Sequence, residues 1–344
     1  MHTFQLLRAQ TPEDAVRLAG AAQEMQPRAT RAVRFIAGGT TLMDLMKLDV
    51  EQPQQVIDIN HLPLNQIEQT ADGGLKIGAL VRNSDLAHHP LILQRYPMLS
   101  QALLSGASAQ LRNMATTGGN LLQRTRCVYF RDAATACNKR QPGSGCAALE
   151  GFHRNLAILG TSEQCIASNP SDMNVALTAL EAVIHVRGPA GTRVIPVSEF
   201  YVLPGMTPER ETVLAPDELV THVALGAPPA NGRSTYLKLR DRASYEFALA
   251  SAAVMIELDR GLDSDHITRV RVALGGVGTR PWRSPEAEAV LLGAAPTVDN
   301  FAQAAAAAVR DARPHRDNLF KVDLIQRCLV QALRIAVSPA RRSA

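Results

Sequence analysis

Val33-Arg34-Phe35-Ile36-Ala37-Gly38-Gly39-Thr40-Thr41-Leu42-Met43-Asp44-Leu45-Met46 changes its period half-way along. As far as Ala37 the residues suit a strand. From Leu42 onward the apolar positions Leu42, Leu45, Met46 and Leu48 recur at helical spacing. The glycine pair between them predicts a tight strand-to-helix turn. Bare glycine lets successive backbone N–H groups face one way, and a helix N-terminus adds positive potential, so such a turn can cradle a phosphate. It can equally be a turn and nothing more. No Gly-Lys-Ser/Thr follows, which excludes a Walker loop. The third glycine and the distant acid of a dinucleotide fingerprint are misplaced.

Outward from this stretch, residues 4–7 read as a strand. Thr11-Pro12-Glu13-Asp14 opens a helix, with Thr11 as its N-cap and Pro12 in the first turn. Further strands are expected at 56–59 and 75–79, and a helix at 97–104. Residues 111–122 carry a second glycine pair. Ser171-Asp172 starts another helix, before strands at 183–186 and 193–197. Gly226-Ala227-Pro228-Pro229-Ala230-Asn231-Gly232 is the clearest linker. Beyond it come a strand (235–240), an alternating apolar segment (247–258), a strand (267–274) and helices over 300–310 and 318–337. The order predicts an α+β fold, with antiparallel-looking strands and helices interleaved rather than a regular βαβ series.

The chain has 344 residues and a formal charge of +4, without a run of five basic residues, so nucleic-acid binding has little support. No apolar stretch approaches the roughly eighteen residues of a membrane span. The first eight residues lack the regions of a signal peptide, which predicts a soluble chain with no export address of its own. Aromatics are only 4%, so the cores must rest on Ala, Leu, Val and Ile.

Five cysteines carry the next signal. Cys328 lies in a helical pattern with Leu324, Ala332 and Ile335 and reads as a small buried hydrophobe. Cys127, Cys137, Cys146 and Cys165 are separated by nine, eight and eighteen residues, largely in a segment without apolar periodicity. Long irregular loops are uncommon unless something functional orders them. Disulfides would need an oxidising compartment that nothing here requests. Structural zinc usually takes Cys-x-x-Cys knuckles, which are absent. A four-Cys iron–sulfur cluster fits the residue types, though not the common ferredoxin spacings. All three readings stay open on the residues alone.

Thr116-Thr117-Gly118-Gly119-Asn120 supplies a second set of hydroxyls and bare backbone, and two such sets suit a diphosphate better than a monophosphate. Gly275-Gly276-Val277-Gly278 reads as a strand-to-loop turn.

Taken in order, residues 35–42, 116–120, Ser171-Asp172-Met173-Asn174, Lys238-Leu239-Arg240 and Gly275-Gly276-Val277 with Pro281-Trp282-Arg283 resemble the FAD-binding medium subunit of the xanthine dehydrogenase family of molybdenum hydroxylases. The likeness runs over essentially the whole chain. The cysteine loop is similar to that of the FAD subunit of periplasmic aromatic aldehyde oxidoreductases.

This resemblance implies a two-subdomain FAD-binding domain of the vanillyl-alcohol-oxidase/PCMH type over 1–226, with subdomains of about 1–60 and 61–226 and an iron–sulfur loop at 124–166. A small α+β C-terminal domain, an antiparallel sheet with helices, would follow over 233–344. Phe35, Ile36, Ala37, Gly38, Gly39, Thr40, Thr41, Leu42 and Met43 would wrap the FAD pyrophosphate, with Thr116, Thr117, Gly118, Gly119 and Asn120 on its other side. Gly106, Ala107 and Ser108 would add a contact. Asp172 would hydrogen-bond the cofactor, and Val220 and Lys238 would line its pocket. Cys127, Cys137, Cys146 and Cys165 would hold a [4Fe-4S] cluster.

On the same basis the partners would be a large molybdenum-cofactor subunit and a small subunit with two [2Fe-2S] clusters. Together they would form a heterotrimeric aldehyde oxidoreductase that passes electrons through FAD to an external acceptor. The resemblance implies periplasmic residence by co-export with a partner bearing a twin-arginine signal, whereas the chain alone implies the cytoplasm. The competing readings are a zinc-stabilised scaffold protein and a free-standing FAD oxidase. Asp172 reads equally well as a first-turn acid, Arg240 and Arg242 as surface charges, and Tyr245 as core.

Overall fold

The first sixty residues form a three-stranded sheet, β1 (Gln5–Arg8), β2 (Val33–Ile36) and β3 (Gln55–Asp58), in the order β1-β3-β2. Every pair in it is parallel. This unit is therefore a parallel crossover arrangement, which corrects the expectation of antiparallel strands here. The connections are α1 (Pro12–Met25) and α2 (Leu42–Lys47). Thr11 Oγ1 accepts from the Asp14 N–H at 3.1 Å while the Asp14 carboxylate accepts from the Gln10 N–H at 3.0 Å, so the start of α1 is capped from both sides. Ala15, Val16, Ala19 and Ala22 recur on one face of α1 and close the first core against Val33 and Ile57. The computed structural model describes residues 1–25, 33–260 and 265–338. The end of the expected C-terminal unit, 339–344, lies outside the described residues.

The second unit is a five-stranded antiparallel sheet of order β4-β5-β8-β6-β7. Its strands are β4 (Ile67–Gln69), β5 (Leu75–Gly78), β6 (Val183–Gly188), β7 (Gly191–Pro196) and β8 (Leu219–Leu225). The long excursion between β5 and β6 holds α3 (Asn83–His88), α4 (Pro90–Arg95), α5 (Pro97–Ser105), α6 (Ala109–Met114), α7 (Thr117–Leu121), α8 (Val128–Arg131) and α9 (Asp172–Ala179); α10 (Val197–Phe200) follows β7. Residues 111–122 are thus two short helices, each with its own N-cap: Ser108 accepts from Leu111 N–H and Thr116 from Gly119 N–H. Strand β8 carries no clean alternation in the sequence because it serves two cores. Leu219 joins the first core, and Val220, Val223 and Leu225 join the second.

The third unit is the antiparallel sheet β12-β11-β10-β9, made of β9 (Arg233–Leu239), β10 (Ala250–Arg260), β11 (Asp265–Gly275) and β12 (Trp282–Arg283). It is covered on one face by α11 (Pro285–Leu291), α12 (Val298–Ala308) and α13 (Phe320–Val337). The period of two along β10 explains its composition. Ala250, Ala252, Val254 and Ile256 face these helices, while Ala253 and Met255 join the core of the second unit, beside α5 and α9. With both faces covered, a strand of small residues lets the layers approach closely. Cys328 is buried in the helical layer, as its spacing predicts. Among the described residues no helix is long and apolar enough to cross a membrane.

Candidate cofactor site

The turn between β2 and α2 forms one wall of a cavity of about 750 Å³ that is also lined by residues 165, 167–170 and the segment before β8. Phe35, Ile36, Ala37, Gly38, Gly39, Thr40, Thr41 and Leu42 all face it; Met43 does not. A Cβ at Gly38 would overlap the carbonyl of Met114, and Gly39 holds φ +70, so both positions require glycine for different reasons. Among the described residues, the backbone N–H groups of Gly38, Gly39, Thr40 and Thr41 find no backbone acceptor. Thr41 makes no side-chain cap on α2, which leaves its hydroxyl unspent at the helix start. The turn is a run of donors presented to a cavity.

The second glycine segment divides. Thr116 faces the large cavity and Gly119 faces it and its smaller neighbour, while Asn120 faces the smaller one. Thr117 and Gly118 line neither. The Thr117 hydroxyl donates to the Val81 carbonyl, and the Gly118 N–H donates to the Ala79 carbonyl at 2.8 Å. These polar groups dock α7 on the second sheet, at a place where the sequence leads one to expect ligand contacts. Val220, expected to line the pocket, has its side chain in the second core and pairs with Val186 across the sheet.

The smaller cavity, about 230 Å³, shares Thr40, Thr41, Ala115, Gly119, Gln123 and Pro170 with the larger, so the two adjoin. Gly106 and Ala107 line it, whereas Ser108 is spent as the α6 cap. Asp172 and Lys238 line it as a pair, with Lys238 Nζ 2.8 Å from Asp172 Oδ2 and 3.0 Å from the Ser105 carbonyl. The other Asp172 oxygen accepts from Tyr236 OH, whose pKa is raised well above its ordinary value by burial and by the Asp172 charge. Arg240 also donates to Ser105 and is not a free surface charge.

Two further residues of this cavity escaped the sequence reading. Asn83 is 4% exposed and its Oδ1 finds no partner among the described residues, and the buried Nε of Arg126 finds no acceptor among them. Tyr245 is not in the core: it is exposed, with φ +52, at the rim, and there the partly exposed Phe247 ring lies under the Arg126 guanidinium at 5.3 Å.

A chain of charges, also unseen in the sequence, runs along the large cavity. Arg34 pairs with Glu51, Glu51 with Arg124, Arg124 with Glu211 at 2.6 Å, and Glu211 with Lys139 at 3.1 Å. All five line the cavity. Burial by itself would raise the Glu211 carboxyl; the Arg124 and Lys139 charges outweigh it and hold the group at about 2.

The four clustered cysteines meet around one small void beside this wall. All five cysteines are described, and each is a free thiol. Beyond the short α8, the loop that brings the four together is ordered largely by side chains. Arg140 donates to the carbonyls of Tyr129, Phe130 and Thr135, and Asn138 bridges Gln164 and the Gly145 N–H. Cys137 and Cys146 form an antiparallel bridge. Burial pushes the Cys127 thiol up to about 12 and raises those of Cys146 and Cys165, the last opposed by the Lys139 charge. Among the described residues, no group of three or more His, Cys, Asp or Glu is arranged to hold a metal ion.

Residues 2–228 match the FAD binding domain in molybdopterin dehydrogenase, and residues 235–336 match the CO dehydrogenase flavoprotein C-terminal domain. The aldehyde oxidoreductase FAD-binding subunit PaoB of Escherichia coli (strain K12) is 50% identical over 341 residues, 99% of this chain and 100% of that protein. The glyceraldehyde dehydrogenase medium chain of Sulfolobus acidocaldarius is 27% identical over 290 residues, 84% of this chain and 81% of that one. In a solved structure of carbon monoxide dehydrogenase from Hydrogenophaga pseudoflava, a chain at 25% identity superimposes with a TM-score of 0.75 over 97% of both.

Proposed function

This chain belongs to the family of FAD-binding subunits of molybdopterin dehydrogenases, and on that premise we propose that it is the flavin-carrying electron-transfer subunit of a molybdenum-dependent aldehyde oxidoreductase. The observation that carries the reading is the run of unpaired N–H groups from Gly38 to Thr41 facing adjoining cavities of about 750 and 230 Å³. The larger lies within the roughly 300–1,000 Å³ usual for a small-molecule site. A diphosphate needs its charge met by donors when it leaves water. Gly38, Gly39, Thr40, Thr41 and Thr116 would meet it without a metal. The orphaned Asn83 and Arg126 atoms of the smaller cavity call for polar partners that a cofactor's remaining hydroxyls and ring edge would supply. Asp172 and Lys238, already paired, would shape that end of the site. FAD supplies the redox chemistry when bound.

Aldehyde oxidation itself would take place at the molybdenum cofactor of a large partner. Two [2Fe-2S] clusters in a small partner would deliver electrons here, for passage to an external acceptor. The likeness to PaoB along the full chain, an FAD-binding subunit of an aldehyde oxidoreductase, supports the aldehyde substrate and a multi-subunit assembly. Export of the folded assembly on a partner's twin-arginine signal belongs to the same reading.

Cys127, Cys137, Cys146 and Cys165 would hold a [4Fe-4S] cluster. The fit lies in the donor set: four thiols share one void, with neither a carboxylate nor an imidazole lining it. An all-thiol set of four, one thiolate per iron, is the donor set that a [4Fe-4S] cluster takes.

The test is flavin, iron and zinc quantified per chain in the purified complex. FAD with about four irons in this subunit supports the reading. Cys127→Ser or Cys137→Ser should lose that iron and keep FAD. Zinc without flavin would overturn it in favour of a scaffold, and flavin without iron would leave the family and remove the cluster.

A further inference from the structure

Lys139, Cys165 and Ala167 line both the void among the four thiols and the large cavity, so the partition between the two is one side chain thick. Of these three, Lys139 alone is a cation, and it is 7% exposed. Its Nζ donates to the Pro208 carbonyl at 2.8 Å and lies 3.1 Å from Glu211 Oε1. Glu211 is fixed in turn by Arg124, whose guanidinium lies 4.6 Å over the Phe130 ring at the edge of the thiol void. The loop that carries Lys139 is anchored next to it, where Asn138 is tied to Gln164 and to the Gly145 N–H at 2.8 Å each.

A buried ion pair contributes little net stability compared with apolar residues of the same shape. What this one provides is a positive charge at a fixed place. In a site of low dielectric such a charge favours whichever oxidation state of a neighbour is the more negative. Net charge and hydrogen bonding around a thiolate-held cluster are among the levers that set its potential.

We propose that Lys139, clamped by Glu211, holds the reduction potential of the four-thiolate cluster up, so that the cluster beside the flavin cavity is reducible in the working complex. The inference rests on the cofactor assignment above and names an electrostatic role for a residue of this chain. Lys139 ligates nothing in it.

The test is a redox titration of the purified complex, followed by the iron–sulfur electron paramagnetic resonance signal of this subunit. In Lys139→Gln the midpoint potential should fall. In Glu211→Gln, which removes the opposing anion, it should rise. In Lys139→Arg it should stay near wild type. A role confined to packing predicts no such opposite signs. Lys139→Gln that retains iron with an unmoved potential overturns the proposal. Should Lys139→Gln fail to retain iron, an unmoved potential in Glu211→Gln overturns it, and an upward shift there with Lys139→Arg near wild type supports it. A wild-type complex with flavin but no iron in this subunit would instead overturn the cluster assignment itself, and this inference with it.

Discussion

Lys238 of β9 and Asp172 in the first turn of α9 meet at 2.8 Å with side chains only 2% and 7% exposed, tying the C-terminal sheet to the floor of the smaller cavity. The pair joins two stretches that are far apart in the sequence, a basic residue on β9 and an acid at a helix start: each neutralises the other where water cannot.

Breaking it from one side should be costly. Lys238→Met leaves the Asp172 charge, among the described residues, with the Tyr236 hydroxyl, and removal of one partner of a buried pair typically costs about 3–5 kcal/mol. The double variant Asp172→Asn/Lys238→Met should recover much of that. Chemical denaturation of the four proteins gives the cycle directly. Single variants within about 1 kcal/mol of wild type would mean that the pair is solvated, contrary to its burial.

The two glycine segments separate folding from binding. A Cβ at Gly38 strikes the Met114 carbonyl, which is backbone and cannot yield cheaply, so Gly38→Ala should lower both melting temperature and flavin content. A Cβ at Gly119 meets only Thr116 Oγ1, at 3.0 Å, yet projects where the two cavities join. Gly119→Ala should therefore leave the apoprotein's melting temperature within a few degrees and still reduce FAD affinity, by roughly tenfold if one donor is displaced, as about 1.4 kcal/mol corresponds to. Equal losses of stability in the two variants would refute this division.

The contrast also shows what was legible in the sequence. The strand-turn-helix at 33–47 announced itself by its change of period, and Thr11 and Ser171 by their chemistry as caps. The four cysteines stood out because they interrupt a segment with no apolar rhythm. The docking role of Thr117 and Gly118 was not legible, because hydroxyl and bare backbone look the same in sequence whether they face a phosphate or dock a helix on Val81 and Ala79. Arg34, Glu51, Arg124, Glu211 and Lys139 were invisible for another reason: charges remote in sequence carry no pattern until the loops that hold them are folded together. Asn83 is marked only by what it lacks, and a missing partner can be seen only in three dimensions.

That missing partner gives a prediction of unusual sign. An unsatisfied buried polar atom costs about 1–3 kcal/mol, and replacement by an apolar group of similar shape can be neutral or stabilising. Asn83→Leu should therefore leave the flavin-free protein as stable as wild type or more so. Its affinity for FAD should fall if the cofactor is what satisfies Asn83. Calorimetric melting of apo and flavin-loaded protein separates the two effects. A variant that binds FAD normally would remove Asn83 from the site.

Glu211 sets the acid limit. Its folded-state carboxyl is held at about 2 by the Arg124 and Lys139 charges against a value of 4.5 when unperturbed. A depressed carboxylate contributes its full stabilisation above the unfolded value and loses it as pH falls through the folded one. Stability should therefore decline from about pH 4.5 towards pH 2, the folded chain resisting the proton that the unfolded chain accepts. In Glu211→Gln this part of the decline disappears, and stability near pH 7 drops because Arg124 and Lys139 lose their shared anion. Urea midpoints of both proteins between pH 3 and 7 provide the measurement. Parallel curves would show that the carboxylate gains nothing from its neighbours, and the chain of charges along the cavity would then be geometry without energetic consequence.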